Sequence, residues 1–166
     1  MRFYFRGVRS QTLLGYEPKI EESTGITCLT AESALLGALK SVGAKKLAIG
    51  TPQGTDRDVY VECIFGKAGF EVCGIRHLEI EGLGLTEVNR PGPERAYQLG
   101  RDTDLPDADA LCILATDFRT IEAIEPLERD VGKPVITNNQ AIFWACLRRA
   151  GLQAAVGGYG RLLRDS

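Results

Sequence analysis

Two clusters of small polar residues, Ala115-Thr116-Asp117 and Thr137-Asn138-Asn139, each follow directly on a short apolar run. Hydroxyl, amide and carboxylate groups at the carboxyl end of a strand suit the binding of a small anion. There, helix N-termini add free backbone N–H groups and a positive dipole end. The same residue types are favoured as helix caps and turn formers in any protein, so each taken singly has that second reading. A third cluster of this kind, Gly50-Thr51-Pro52-Gln53-Gly54, follows the apolar run Leu47-Ala48-Ile49. Gln53 can donate a hydrogen bond to a ligand or stand in water as a turn residue.

The elements that must position these groups are those of an α/β protein. Leu111 to Leu114 is an unbroken apolar run, as expected of a central parallel strand covered on both faces. A helical segment follows, then the strand Pro134-Val135-Ile136 and another helix, giving a β-α-β-α unit. Upstream, Gly25 to Leu29 reads as a short strand. Thr30 caps a helix with the inward face Ala34, Leu35, Ala38, Leu39 and Val42, stopped by Gly43. After the strand at Leu47, Thr55 and Asp58 open a helix in the manner of a capping box, with Val59, Cys63 and Ile64 facing inward. Gly69 ends that helix and Phe70 to Ile75 returns as a strand. Glu79 to Pro93 is rich in Gly, Pro and Asn and reads as an irregular loop, with a helix from Pro93 to Arg101 beyond it. In the last helix Phe143, Leu147 and Ala150 recur at helical spacing beside Ile142 and Cys146, Gly151 caps it, and Trp144 serves packing.

Composition narrows the function. The chain has 166 residues, 44% of them hydrophobic and 25% charged, enough for one sizeable core. A net charge of -2 argues against a nucleic-acid partner. No apolar run approaches a membrane span, and the Arg-rich opening lacks the apolar core of a signal peptide, so a cytoplasmic location is expected. The five cysteines, Cys28, Cys63, Cys73, Cys112 and Cys146, have irregular spacing and apolar neighbours, and read as reduced core residues. The single histidine, His77, has no partner at ligand spacing, which speaks against a metal site. It reads as a strand-end surface residue, with general-base chemistry as the other option. The Gly-x-Gly pieces at Gly82 and Gly158 are turns rather than phosphate cradles.

The run from Leu114 to Thr120, followed by Ile124 to Glu128, Gly132 to Val135 and Asn138 to Ala141 with Trp144, resembles the family of maleate cis-trans isomerase and arylmalonate decarboxylase. That family lies within the aspartate/glutamate racemase superfamily. Its strand end typically reads Ser-Cys-Thr-Asn-Leu-Arg-Thr, followed by Ile-Glu-Pro-Leu-Glu, Gly-Lys-Pro-Val and Ser-Asn-Gln-Ala. Gly158-Tyr159-Gly160-Arg161-Leu162 is similar to the closing motif of the decarboxylase branch, and from Phe3 onward the resemblance covers essentially the whole chain. It implies a parallel-sheet, flavodoxin-like half of a two-half racemase-like fold with the first half incomplete. On that basis residues 1–27 are a remnant helix of the first half, 28–137 a complete second half, and 138–166 a segment returning to the first. The part of a family member that precedes Phe3, with its first cysteine or glycine slot, is absent, as in a fragment, a misplaced start or a trimmed chain. Uncovered sheet edges then predict homo-association.

The resemblance also implies cofactor-independent chemistry on a carbon beside a carboxylate, with a small dicarboxylate as ligand. The substrate-binding set it implies is Thr51, Gln53, Ala115, Thr116, Asp117, Asn138 and Asn139. Ala115 falls on the family's second cysteine slot, and a methyl group can neither donate a proton nor attack. Gln53 falls where relatives carry a tyrosine. Cys112, three residues before Ala115, should point to the opposite face of its strand. Two readings remain: an isomerase or decarboxylase impaired by the missing segment and Ala115, or a non-catalytic carboxylate-binding member of the family.

Overall fold

The computed structural model describes residues 16–78 and 92–165. In chain order the helices and strands are α1 (Glu17–Thr24), α2 (Ala31–Ser41), β1 (Lys46–Thr51), α3 (Asp58–Lys67), β2 (Glu71–His77), α4 (Pro93–Thr103), β3 (Ala110–Ile113), α5 (Ile121–Val131), β4 (Val135–Thr137), α6 (Asn138–Arg149) and α7 (Arg161–Asp165), with one 3-10 turn, Thr55–Arg57, before α3. The expected loop from Glu79, including Gly82, lies outside the described residues up to position 91; of the remnant helix expected within residues 1–27, the part before Tyr16 also lies outside them, and α1 is the part described.

The four strands form one parallel sheet in the order β2-β1-β3-β4. Strand alternation divides the core into two layers. Ala110, Cys112 and Ile136 join Leu35, Leu39 and Phe65 on one face, while Leu111, Ile113 and Val135 join Leu99, Ile124 and Leu127 on the other. From β1 the chain runs outward through α3 to β2, then returns through α4 to β3 on the other side of β1. The strand order therefore reverses between β1 and β3, and the crevice above their carboxyl ends is where ligands bind in folds of this kind. The close approach of α4 to α5 rests on Gly100, where a Cβ would lie 2.1 Å from Leu127 Cδ2.

Several expectations are corrected. Gly25–Leu29 is not a strand: Gly25 ends α1 in the left-handed region at φ 70°, and the Cys28 N–H donates to Glu21 Oε1 at 2.7 Å instead of to a sheet neighbour. Thr55 and Asp58 make no capping box. The segment starts as a 3-10 turn, which rotates the helix so that Val59 is 80% exposed and Ile64 and Phe65 carry the buried face. In α6 the inward stripe is Ala141 and Ala145, both buried, with Trp144 partly buried between them, and not Phe143, which is exposed; the small alanines let α6 lie close on α2 beside Gly37. Cys146 is exposed rather than in the core, whereas Cys112 is fully buried. Thr30 does cap α2, accepting from the Ser33 N–H at 3.1 Å.

Candidate functional site

The polar clusters at the strand ends turn out to be largely free of capping duty. Helix α6 is capped by Thr137, in a capping box with Gln140, and α5 begins only at Ile121. Asn138 and Asn139 on the first turn of α6, and Thr116 and Asp117 after β3, thus have side chains available for other partners. Asn138 Oδ1 accepts from the Ala115 N–H at 3.0 Å, and Asn139 Nδ2 donates to the Thr116 carbonyl at 3.0 Å. These two bonds tie the ends of β3 and β4 together. Ala115 sits at φ 98°, and it is the only non-glycine residue with positive φ among the described residues. A side chain there is strained by roughly 1–3 kcal/mol, a cost that concentrates at functional positions.

Above the β1–β3 reversal lies a cavity of about 420 Å³. It brings together Gln53, Ala115, Thr116, Asp117 and Asn138 of the expected set. The other two expected residues lie elsewhere. Thr51 is buried at the end of β1, where its Oγ1 accepts from the Gln53 N–H at 3.1 Å and so shapes the loop from below. Asn139 lines a neighbouring, mainly apolar cavity with Phe118, Phe143 and Tyr159, since the next position on a helix turns by about 100°.

Three polar lining residues were not anticipated: Arg57, Tyr60 and Glu32. Arg57 is the only cation in the lining of the cavity among the described residues. Tyr60 donates to Glu32 Oε1 at 2.8 Å, and burial, with the Glu32 carboxylate beside it, pushes its phenol up to about 12. The Tyr60 hydroxyl is therefore a hydrogen-bond donor at neutral pH. These residues come from the turn before α3, from α3 and from the first turn of α2. The one local sign of them in the sequence is the i,i+3 spacing of Arg57 and Tyr60, which only the true phase of α3 would have made legible.

His77, expected at the surface, is half-buried at the end of β2. Its Nδ1 donates to the Gln53 carbonyl at 2.5 Å and its Nε2 faces Asp58 Oδ2 at 3.1 Å. With both nitrogens engaged it is not placed as a free base. Cys112 lies on the far face of the sheet from the layer against which Ala115 packs, and burial lifts its thiol far above the ordinary range, so it is an unreactive core residue. No three His, Cys, Asp or Glu side chains among the described residues converge on a point that could hold a metal ion. Nor is any described helix long and apolar enough to cross a membrane.

The sequence model of the arylmalonate decarboxylase family matches residues 2–163. The chain is 29% identical over 153 residues to an arylmalonate decarboxylase of Bordetella bronchiseptica, a match taking in 89% of this chain and 62% of that enzyme. It is 31% identical over 137 residues to a maleate isomerase of Nocardia farcinica, covering 82% of this chain and 54% of the isomerase. The chain thus spans less than two thirds of the length of these curated relatives. A crystal structure of arylmalonate decarboxylase superimposes with a TM-score of 0.85 at 28% identity, over 92% of this chain and 68% of the other. A Nocardia farcinica maleate cis-trans isomerase with a covalently bound succinylcysteine intermediate superimposes with a TM-score of 0.81 at 29% identity, over 92% and 64%. A mixed α/β fold with an all-parallel sheet, a family model matching nearly end to end, and agreement with two kinds of related enzyme lead to one conclusion: the chain belongs to the arylmalonate decarboxylase family.

Proposed function

We propose that this chain forms the small-dicarboxylate site of a maleate isomerase or arylmalonate decarboxylase type of protein, acting without a cofactor, and that Ala115 in the cysteine slot impairs its proton or thiol chemistry. The observation that carries this reading is the convergence of Arg57, Gln53, Thr116 and Asn138 on one cavity around Ala115. A carboxylate there would meet the guanidinium of Arg57 and the amide donors of Gln53 and Asn138.

The chemistry of the family explains what is missing. When a malonate loses CO2, the electron pair of the breaking bond passes to a carbanion or enolate, which then takes up a proton from a nearby acid. In the isomerase captured with succinylcysteine, the cysteine bonds to the substrate carbon. A methyl group at 115 can do neither, and the Ala115 N–H is already committed to Asn138. The second reading, a non-catalytic carboxylate-binding protein, draws on that observation together with Gln53 in place of the family tyrosine.

Two measurements separate the readings. Maleate and phenylmalonate at millimolar concentration are expected to raise the melting temperature, as any ligand selective for the folded state does. No shift with either would sink both readings. Ala115→Cys, made in this chain and in a chain extended to the length of its relatives, is then assayed for CO2 release from phenylmalonate and for fumarate from maleate. Turnover in either form supports the impaired-enzyme reading, and its absence in both leaves binding alone.

A further inference from the structure

The segment from Gln53 to Asp58 supplies Gln53 and Arg57 to the cavity; it follows β1 and ends on Asp58, the first residue of α3. Among the described residues, one side chain from outside the segment bonds to both of its ends. His77, at the end of β2, meets the Gln53 carbonyl through Nδ1 at 2.5 Å and Asp58 Oδ2 through Nε2 at 3.1 Å. The ring therefore spans the two ends of the six-residue segment, while Thr51 Oγ1 accepts the Gln53 N–H at 3.1 Å from beneath. The Gln53 carbonyl can only accept, so Nδ1 is the donor to it, and Nε2 faces the Asp58 carboxylate. Its own place is set by the ladder, where His77 is the register partner of Thr51 and the following Leu78 N–H donates to the Thr51 carbonyl at 2.9 Å.

We infer that His77, together with Asp58, is a positioning residue that holds the Gln53–Asp58 segment so that Gln53 and Arg57 present their polar groups to the ligand cavity. It touches no ligand itself. In a short segment with a 3-10 turn and few buried apolar groups, two hydrogen bonds at its ends decide whether the segment keeps one arrangement. A loop left to sample several would lower ligand affinity by the fraction of time spent in the wrong ones.

The ligand consequence rests on the dicarboxylate reading above, whereas the structural claim does not, and the experiment tests them separately. Amide hydrogen exchange of the intact chain is compared for the wild type, His77→Ala, Asp58→Ala and Asp58→Asn. Asparagine keeps an oxygen that accepts from Nε2, so Asp58→Asn should stay close to wild type. The two alanine variants should exchange about tenfold faster at residues 53–58, the loss of one net hydrogen bond, with protection in β3 and α5 unchanged. The double variant should add little to either single, because one clamp is being broken twice. Uniform loss of protection across the sheet, or unchanged exchange at 53–58, would overturn the inference. Maleate titrations on the same proteins read the second step. An affinity about tenfold weaker in the alanine variants and restored in Asp58→Asn is expected, and equal affinity in all four would refute the link to the site. Failure of the wild type to bind maleate would count against the dicarboxylate reading and leave the exchange result standing.

Discussion

Asn138 and Ala115 meet across the gap between β4 and β3, the Asn138 Oδ1 accepting the Ala115 N–H at 3.0 Å. The bond fixes the backbone of the one described non-glycine residue that has positive φ, 98°. It also explains why an alanine persists in a conformation that disfavours a side chain: the amide pins it there.

Two substitutions measure that relationship. Ala115→Gly should stabilise the protein by about 1 kcal/mol, because glycine adopts positive φ without strain. Asn138→Ala should destabilise it by about 1–3 kcal/mol, since the Ala115 N–H loses its partner. Denaturant midpoints at constant m-value report both.

Glu128 and Asp109 should respond to pH in opposite senses. Glu128 is 4% exposed, and its two oxygens accept the N–H groups of Val135 at 2.9 Å and Arg161 at 2.8 Å, which joins α5 to β4 and to the start of α7. Burial raises its carboxyl above the ordinary range in spite of those bonds. Its folded pKa lies above the unfolded one, so its contribution is fully present below the unfolded value and is lost as pH rises through the folded one. Asp109 accepts from the N–H groups of Lys46 and Lys45 at 2.8 and 2.9 Å, and these bonds lower its carboxyl. Its contribution is present above the unfolded value and lost as pH falls through the depressed one. Melting curves from pH 3 to 7 should therefore show the gap between wild type and Glu128→Gln narrowing with rising pH, and the gap to Asp109→Asn narrowing with falling pH.

Thiol labelling should discriminate sharply. Cys146 is exposed on α6 and should react with a maleimide in the native protein, whereas buried Cys112 should react only on unfolding. Peptide mass spectrometry after a short pulse gives the answer for each cysteine.

Gly100→Ala should destabilise the protein by about 1–3 kcal/mol, because the new Cβ would overlap Leu127, which is itself fully buried and cannot withdraw. Thermal unfolding measures the effect.

Much of this protein is legible in one dimension because the signals are local. The Thr30 cap, the apolar face of α2 and the continuous apolar run of β3 each depend on residues within a few positions of one another, and the structure has all three. So does the clustering of small polar residues after β1, β3 and β4. What tertiary structure decided is everything that joins positions far apart. Ala115 and Asn138 are 23 residues apart, and Gln53 and His77 are 24. Helical and strand periods carry no information on such pairs, which depend on the sheet order that sets β1 beside both β2 and β3. The same holds for phase. Val59 points to solvent and Arg57 and Tyr60 reach the cavity because a 3-10 turn precedes α3, and the residues on either side of that turn, Gln53 and Asp58, meet a histidine at the end of β2. Strand Gly25–Leu29 failed for a related reason: β-propensity needs a neighbouring strand to pair with, and here Glu21 takes the amide first.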